Sequence, residues 1–145
     1  MDEDRLKHSY KVALKMIEIG KTYKLSDEEL KELFVLGLNH DIGYQFDKNN
    51  HNKIGAEILK NAGYKYWKEV LYHGIINTEY NSLYLSILNQ ADMQIDKYGN
   101  DVGYEKRLED IAKRYGKESE VFRNVKRLIS NITDKDEQQE SSYSK

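Results

Sequence analysis

In 145 residues this chain contains no proline, and that absence constrains its fold more than any other feature. Proline removes a backbone donor and breaks helices, so a chain without it suits helices joined by short glycine or polar turns. The apolar pattern agrees. Leu6, Tyr10, Ala13, Leu14 and Ile17 recur at the three-to-four spacing of one buried helix face, which predicts a helix over residues 3–19 stopped by Gly20. Ser26-Asp27-Glu28-Glu29 has the form of a capping box, and Leu30, Leu33, Phe34, Gly37 and Leu38 follow it, giving a second helix from 27 to His40. A polar, turn-like stretch over 43–50 then leads to a third helix that Asn50 caps and Asn61 and Gly63 end. Further helices are expected over 64–73, 83–95, 104–115 and 119–132. After Thr133 the sequence DKDEQQESSYSK has no apolar periodicity and is expected to be disordered. Neither strand alternation nor a glycine-rich phosphate loop is visible. The reading is an all-α, compact bundle of six to seven helices, one domain over 1–133 and a tail over 134–145.

Composition narrows the chemistry. At 39% hydrophobic residues, a chain of this length buries roughly two thirds of its unfolded surface and needs no covalent staple. With no cysteine, disulfides, thiolate catalysis and Cys-ligated zinc or iron–sulfur sites are excluded, and a cytoplasmic location is the expectation. A net charge of -2 argues against a reader of long nucleic acid held by a broad basic face. The start Met1-Asp2-Glu3-Asp4 is acidic where a secretory signal is basic. The longest apolar stretch, 33–38, is far short of the roughly 20 residues that span a bilayer. No membrane association is therefore expected.

The four histidines are His8, His40, His51 and His73, each assigned to a different helix. Two aspartates join them. Asp41 follows His40, and Asp92 sits in Asn89-Gln90-Ala91-Asp92 between core-directed Leu88 and Ile95. A carboxylate in such a segment needs a partner, because a buried unpaired charge costs several kcal/mol. Imidazole and carboxylate together suit iron, manganese or zinc, and a carboxylate can bridge two ions where an imidazole cannot. Six donors also exceed what one tetrahedral zinc takes.

The string Leu38-Asn39-His40-Asp41-Ile42-Gly43 resembles the signature of the HD superfamily of metal-dependent phosphohydrolases, in the variant often written HDIG. The segments around His8, His51, His73 and Asp92 resemble the family's other ligand segments, in the order His, His-Asp, His, His, Asp over about residues 5–98. This resemblance implies that His8, His40, Asp41 and Asp92 hold one first-row ion, and that His51, His73 and a bridging Asp41 hold a second. A dinuclear arrangement resembles that of the small symmetrical diadenosine tetraphosphatases. It implies hydrolysis of a small phosphorylated substrate such as a nucleotide, by a monomer or homodimer, with Asp41 central to catalysis. Di-iron oxygenases of the HD type share the same six-ligand pattern, and a non-catalytic nucleotide-binding module is a third reading.

The chain also departs from the family. Many members carry a lysine just after the signature that meets a substrate phosphate; here the position is Tyr44. Lys48 and Lys53 are the nearest replacements in sequence. The Gly-Tyr-Pro motif of the HD-type cyclic-dinucleotide phosphodiesterases is absent. Asp96 is read as a solvated helix-end carboxylate rather than a group that orients a ligand. The tyrosines around 64–84 are read as core filling rather than a base-stacking surface.

Overall fold

The computed structural model describes residues 3–47 and 49–143, with side chains through Asp134. Among the described residues seven α-helices follow one another: α1 (Glu3–Thr22), α2 (Asp27–Asn39), α3 (His51–Asn61), α4 (Trp67–Tyr72), α5 (Leu83–Asp92), α6 (Gly103–Tyr115) and α7 (Glu120–Tyr143). A 3₁₀ turn, Ile42–Gln45, lies between α2 and α3. No strand forms among the described residues; Ile95 and Asp101 make one isolated bridge. The all-α expectation holds.

Helix α1 packs against α2, and both pack against α5. The buried face of α1 is His8, Ser9, Val12, Ala13, Met16 and Gly20, not the expected stripe, of which Leu6, Tyr10 and Leu14 are exposed and only Ala13 is fully buried. Val12, Met16, Leu33, Leu36, Ile87, Leu88 and Ala91 are fully buried there, joined by Leu59 of α3 and Val70 of α4. A second cluster of Met93, Ile111, Val125, Leu128, Ile129 and Ile132 fastens α6 and α7 to the end of α5. Glycine permits the closest approaches. A Cβ on Gly37 would meet Ala13 Cα at 2.6 Å, so α1 and α2 cross almost backbone to backbone. A Cβ on Gly43 would lie 2.1 Å from the His51 carbonyl oxygen and 2.6 Å from Gly55 N. Only glycine lets the 3₁₀ turn lie against α3.

Several boundaries differ from the sequence expectation. The capping box at Ser26 forms: its hydroxyl accepts from Glu29 N at 3.2 Å, and Glu29 accepts from Ser26 N at 3.0 Å. Gly20, in contrast, does not stop α1, which runs on to Thr22. It makes room for Leu30 and Leu33, and the left-handed residue that ends the helix is Lys24 at φ 60°. Asn50 does not cap α3 through its side chain, which donates instead to Asp47 at 3.2 Å. Helix α4 is shorter than 64–73, and α5 ends at Asp92, which is its last residue rather than a mid-helix one. Helix α7 continues to Tyr143, past the expected end at 132 and through most of the segment expected to lack structure. That segment holds neither proline nor glycine, so polar residues of good helix propensity extend the backbone. The tyrosines divide: Tyr64, Tyr66 and Tyr84 pack against the main core, while Tyr72 and Tyr80 stack on each other at 5.6 Å.

Candidate metal centre

Helix ends place His40 and His73, at the C-termini of α2 and α4, and His51, the first residue of α3. The last carbonyls of a helix have no intrahelical donor, and His40, just past α2, donates Nδ1–H to Gly37 O at 2.6 Å. His73, just past α4, donates likewise to Val70 O at 2.6 Å. His8 lies within α1 and uses a different element, the Asp96 carbonyl beyond α5, at 2.9 Å. A carbonyl can only accept, so each Nδ1 carries the hydrogen and each Nε2 turns toward a common centre. His8, His40 and His73 are at most 3% exposed.

The two aspartates meet these nitrogens. His8 Nε2 is 2.9 Å from Asp92 Oδ1, and His40 Nε2 is 3.4 Å from the same oxygen. The oxygens of Asp41 divide between two sets of rings. Its Oδ2 faces His40 Nε2 at 3.3 Å and His8 Nε2 at 3.7 Å. Its Oδ1 faces His73 Nε2 at 3.3 Å and His51 Nε2 at 3.6 Å. All six sequence candidates converge. Three overlapping triads, His8–His40–Asp41, His40–His73–Asp92 and Asp41–His51–His73, have donor atoms within 4.8 Å of one another and could hold a metal ion.

The donor chemistry fits a cation. His40 Nε2 is buried and makes no aligned hydrogen bond, although two carboxylate oxygens lie within 3.4 Å. With Nδ1 already a donor, a neutral ring would point its lone pair at two anions, an arrangement that only a proton or a metal ion relieves. Without metal, the proton fills that role. Burial pushes the His40 imidazolium down, but the charges of Asp41 and Asp92 and the Gly37 carbonyl outweigh it and raise its pKa to about 9. Burial pushes both carboxyls up, and the facing histidines more than reverse this, holding Asp41 and Asp92 well below the usual carboxylate range.

Around this cluster opens a cavity of about 550 Å³. Lys53 lines it, and Lys48 lies outside the described residues. The sequence reading missed Arg5. Its Nη1 donates to Asp41 Oδ2 at 3.1 Å, and its guanidinium lies 3.7 Å from the centre of the Tyr44 ring. The signal was available, since Arg5 precedes His8 by three positions on the same helix face. Arg107 and Arg114 of α6 also line the cavity, from a helix that carries no candidate ligand. Asp96 plays a mixed part: its carboxylate accepts from Tyr98 N and Asn100 N within its own turn, while its backbone carbonyl orients His8.

An all-helical fold with buried histidines and aspartates around one cavity defines a class of metal-site helical domains. The family model of the HD domain matches residues 5–101, and the chain belongs to that family. No curated protein and no solved structure matches it. The match ends before α6, so α6 and α7 close the cavity from outside the shared unit.

Proposed function

We propose that the chain is a metal-dependent phosphohydrolase that acts on a small phosphorylated substrate of the nucleotide class at a dinuclear centre. His8, His40, Asp41 and Asp92 would hold one ion and Asp41, His51 and His73 the other. The donor set suits iron or manganese, and zinc as well. One observation carries the substrate assignment. Among the described residues, the cavity is lined by five fixed cations, Arg5, Lys53, Lys97, Arg107 and Arg114, and by two carboxylates, Asp41 and Asp92. Both carboxylates belong to the metal cluster, so a chain of net charge -2 has concentrated positive charge where a substrate enters. Such focusing raises the local concentration of an anion.

Bound there, two divalent ions supply the Lewis acidity that activates water near neutral pH and neutralises charge on a phosphoryl oxygen. The chain's own residues do the rest. Asp41, with one oxygen toward each set of histidines, fixes the spacing of the two positions. The backbone carbonyls of Gly37, Val70 and Asp96 hold the rings in one tautomer and orientation. Arg5, held against Tyr44, places a planar cation beside Asp41 at the cavity wall, where it can bind two phosphoryl oxygens at once. It supplies the charge that family members carry on a lysine at the position of Tyr44.

The test is direct. Protein reconstituted with manganese, or with ferrous iron without oxygen, is expected to bind more than one ion per chain and to release phosphate from a panel of nucleotides. Asp41→Ala is expected to lose metal and activity together. Hydrolysis that persists in metal-stripped protein, or less than one ion per chain after reconstitution, would overturn the reading.

A further inference from the structure

Helix α6 lies outside the segment that matches the HD domain, yet it forms one wall of the cavity. Arg107, Ile111 and Arg114 follow at i, i+4 and i+7, the spacing of one helix face, and all three line the cavity with the histidine–aspartate cluster. The helix is firmly seated. Val102 N and Gly103 N donate to Gln94 O at 2.9 and 3.2 Å, and Ile111 is buried against Met93 and Val125. Arg107 therefore has a fixed position beside the metal cluster: its Nε lies 3.5 Å from the carbonyl oxygen of Asp92.

Arg107 and Arg114 have no ion pair of their own among the described residues. Burial raises the Asp96 carboxyl, but hydrogen bonds from Asn100 and Tyr98 and the charge of Arg107 lower it below the ordinary range. Arg107 Nη1 is buried without a hydrogen-bond partner, and a buried donor left unbonded is expensive. Arg114 is exposed at the rim, its guanidinium 5.7 Å from the Tyr115 ring. At about 1.5 Å of rise per residue, the two arginines stand roughly 10 Å apart along α6. A single phosphate at the metal cluster can approach Arg107 and leaves Arg114 without a role.

We propose that Arg107 and Arg114 form a second phosphate site, which binds the phosphates of the substrate distal to the one at the metal centre. The preferred substrate then carries two or more linked phosphates lying along α6, with Ile111 and Tyr115 beside them as an apolar wall for the attached organic group. The identity of the group at the metal pole rests on the phosphohydrolase reading; the α6 site does not, because its contacts need no metal. Both arginines act by binding the substrate directly, away from the reacting phosphoryl group.

Calorimetric titration of metal-free protein at low salt with inorganic tripolyphosphate and with orthophosphate tests this. Wild type is expected to bind tripolyphosphate more tightly, and Arg107→Ala/Arg114→Ala to lose roughly tenfold or more of that affinity, the scale of two charge-assisted contacts, with orthophosphate changed less than about twofold. Arg114→Ala alone, an exposed change that leaves the core intact, is expected to show part of the same selective loss. Lys21→Ala/Lys31→Ala removes equal charge outside the cavity and is expected to leave both affinities unchanged. Equal losses for the two anions, no loss in the arginine variants, or the same loss in the lysine control overturns the proposal. If arginine-dependent tripolyphosphate binding is present but manganese-loaded wild type hydrolyses no phosphate ester, the hydrolase reading fails and the second site stands.

Discussion

Arg5 lies between Asp41 and Tyr44, 3.1 Å from the carboxylate and 3.7 Å from the ring centre. The tyrosine stands where many family members have a lysine, and it serves as a platform for a cation from another helix. If that cation meets phosphate, Arg5→Ala is expected to lower kcat/KM by roughly 10²-fold, the scale of a preorganised charge at the reacting group, while metal content changes little. Arg5→Ala/Tyr44→Lys returns a cation to the family position and is expected to recover a substantial part of the loss. Steady-state kinetics with parallel metal analysis checks this; a double variant no better than Arg5→Ala sinks the replacement idea.

Gly43 of the signature has a steric reason to be glycine. Any Cβ there would meet the His51 carbonyl at 2.1 Å, so the 3₁₀ turn or the start of α3 must shift. Gly43→Ala is expected to destabilise the fold by about 2–4 kcal/mol and to move His51 away from Asp41. Chemical denaturation reads the first effect, and metal stoichiometry the second. Unchanged values for both would show that the contact relaxes freely.

Asn52 ties the two more exposed helix ends together. Its Nδ2 donates to Leu71 O at 3.2 Å and to His73 O at 2.7 Å, joining the first turn of α3 to the end of α4. Asn52→Ala frees the segment that carries His73 and is expected to weaken metal binding by roughly 10–100-fold, the usual effect of losing a group that orients a ligand. Competition with a metal chelator measures it. Retained affinity would mean that the Gly74 contacts with Asn89 and Asn124, at 2.8 and 3.0 Å, fix His73 without help.

The legible parts of this molecule were those written in local pattern. The presence of helices shows in the three-to-four spacing, although the stripe read on α1 is largely exposed at Leu6, Tyr10 and Leu14. The capping box at Ser26 shows in four consecutive residues, and the six donor residues show in a resemblance carried by short motifs. What stayed hidden depends on tertiary approach. No local rule says that Gly20 makes room for Leu33 rather than ending α1, or that Asn50 bonds to Asp47 instead of capping α3. The cavity cations show the same limit. Lys53 and Lys48 stand near the signature in sequence, whereas Arg107 reaches the cluster only because α6 folds back on the end of α5. Arg5 was the exception, since its spacing from His8 would have revealed it.

Away from the metal cluster, Glu32 accepts hydrogen bonds from Tyr66 and from Tyr84, the second at 3.0 Å. The Tyr66 bond, helped by Tyr84 and Lys65 and opposed by burial, lowers the Glu32 carboxyl, while burial and Glu32 raise the Tyr66 phenol to about 12. A tyrosine whose folded pKa lies above its unfolded value of about 10 gives stability that is fully present below pH 10 and is lost as pH climbs through 12. Tyr66→Phe removes that contribution. Wild type is expected to exceed Tyr66→Phe by roughly 1 kcal/mol in urea unfolding near pH 8, and the two curves should converge between pH 10 and 12, where the phenolate would face the Glu32 carboxylate. A difference that stays constant across that range would show that the ring's packing, not its hydroxyl, stabilises the contact among α2, α4 and α5.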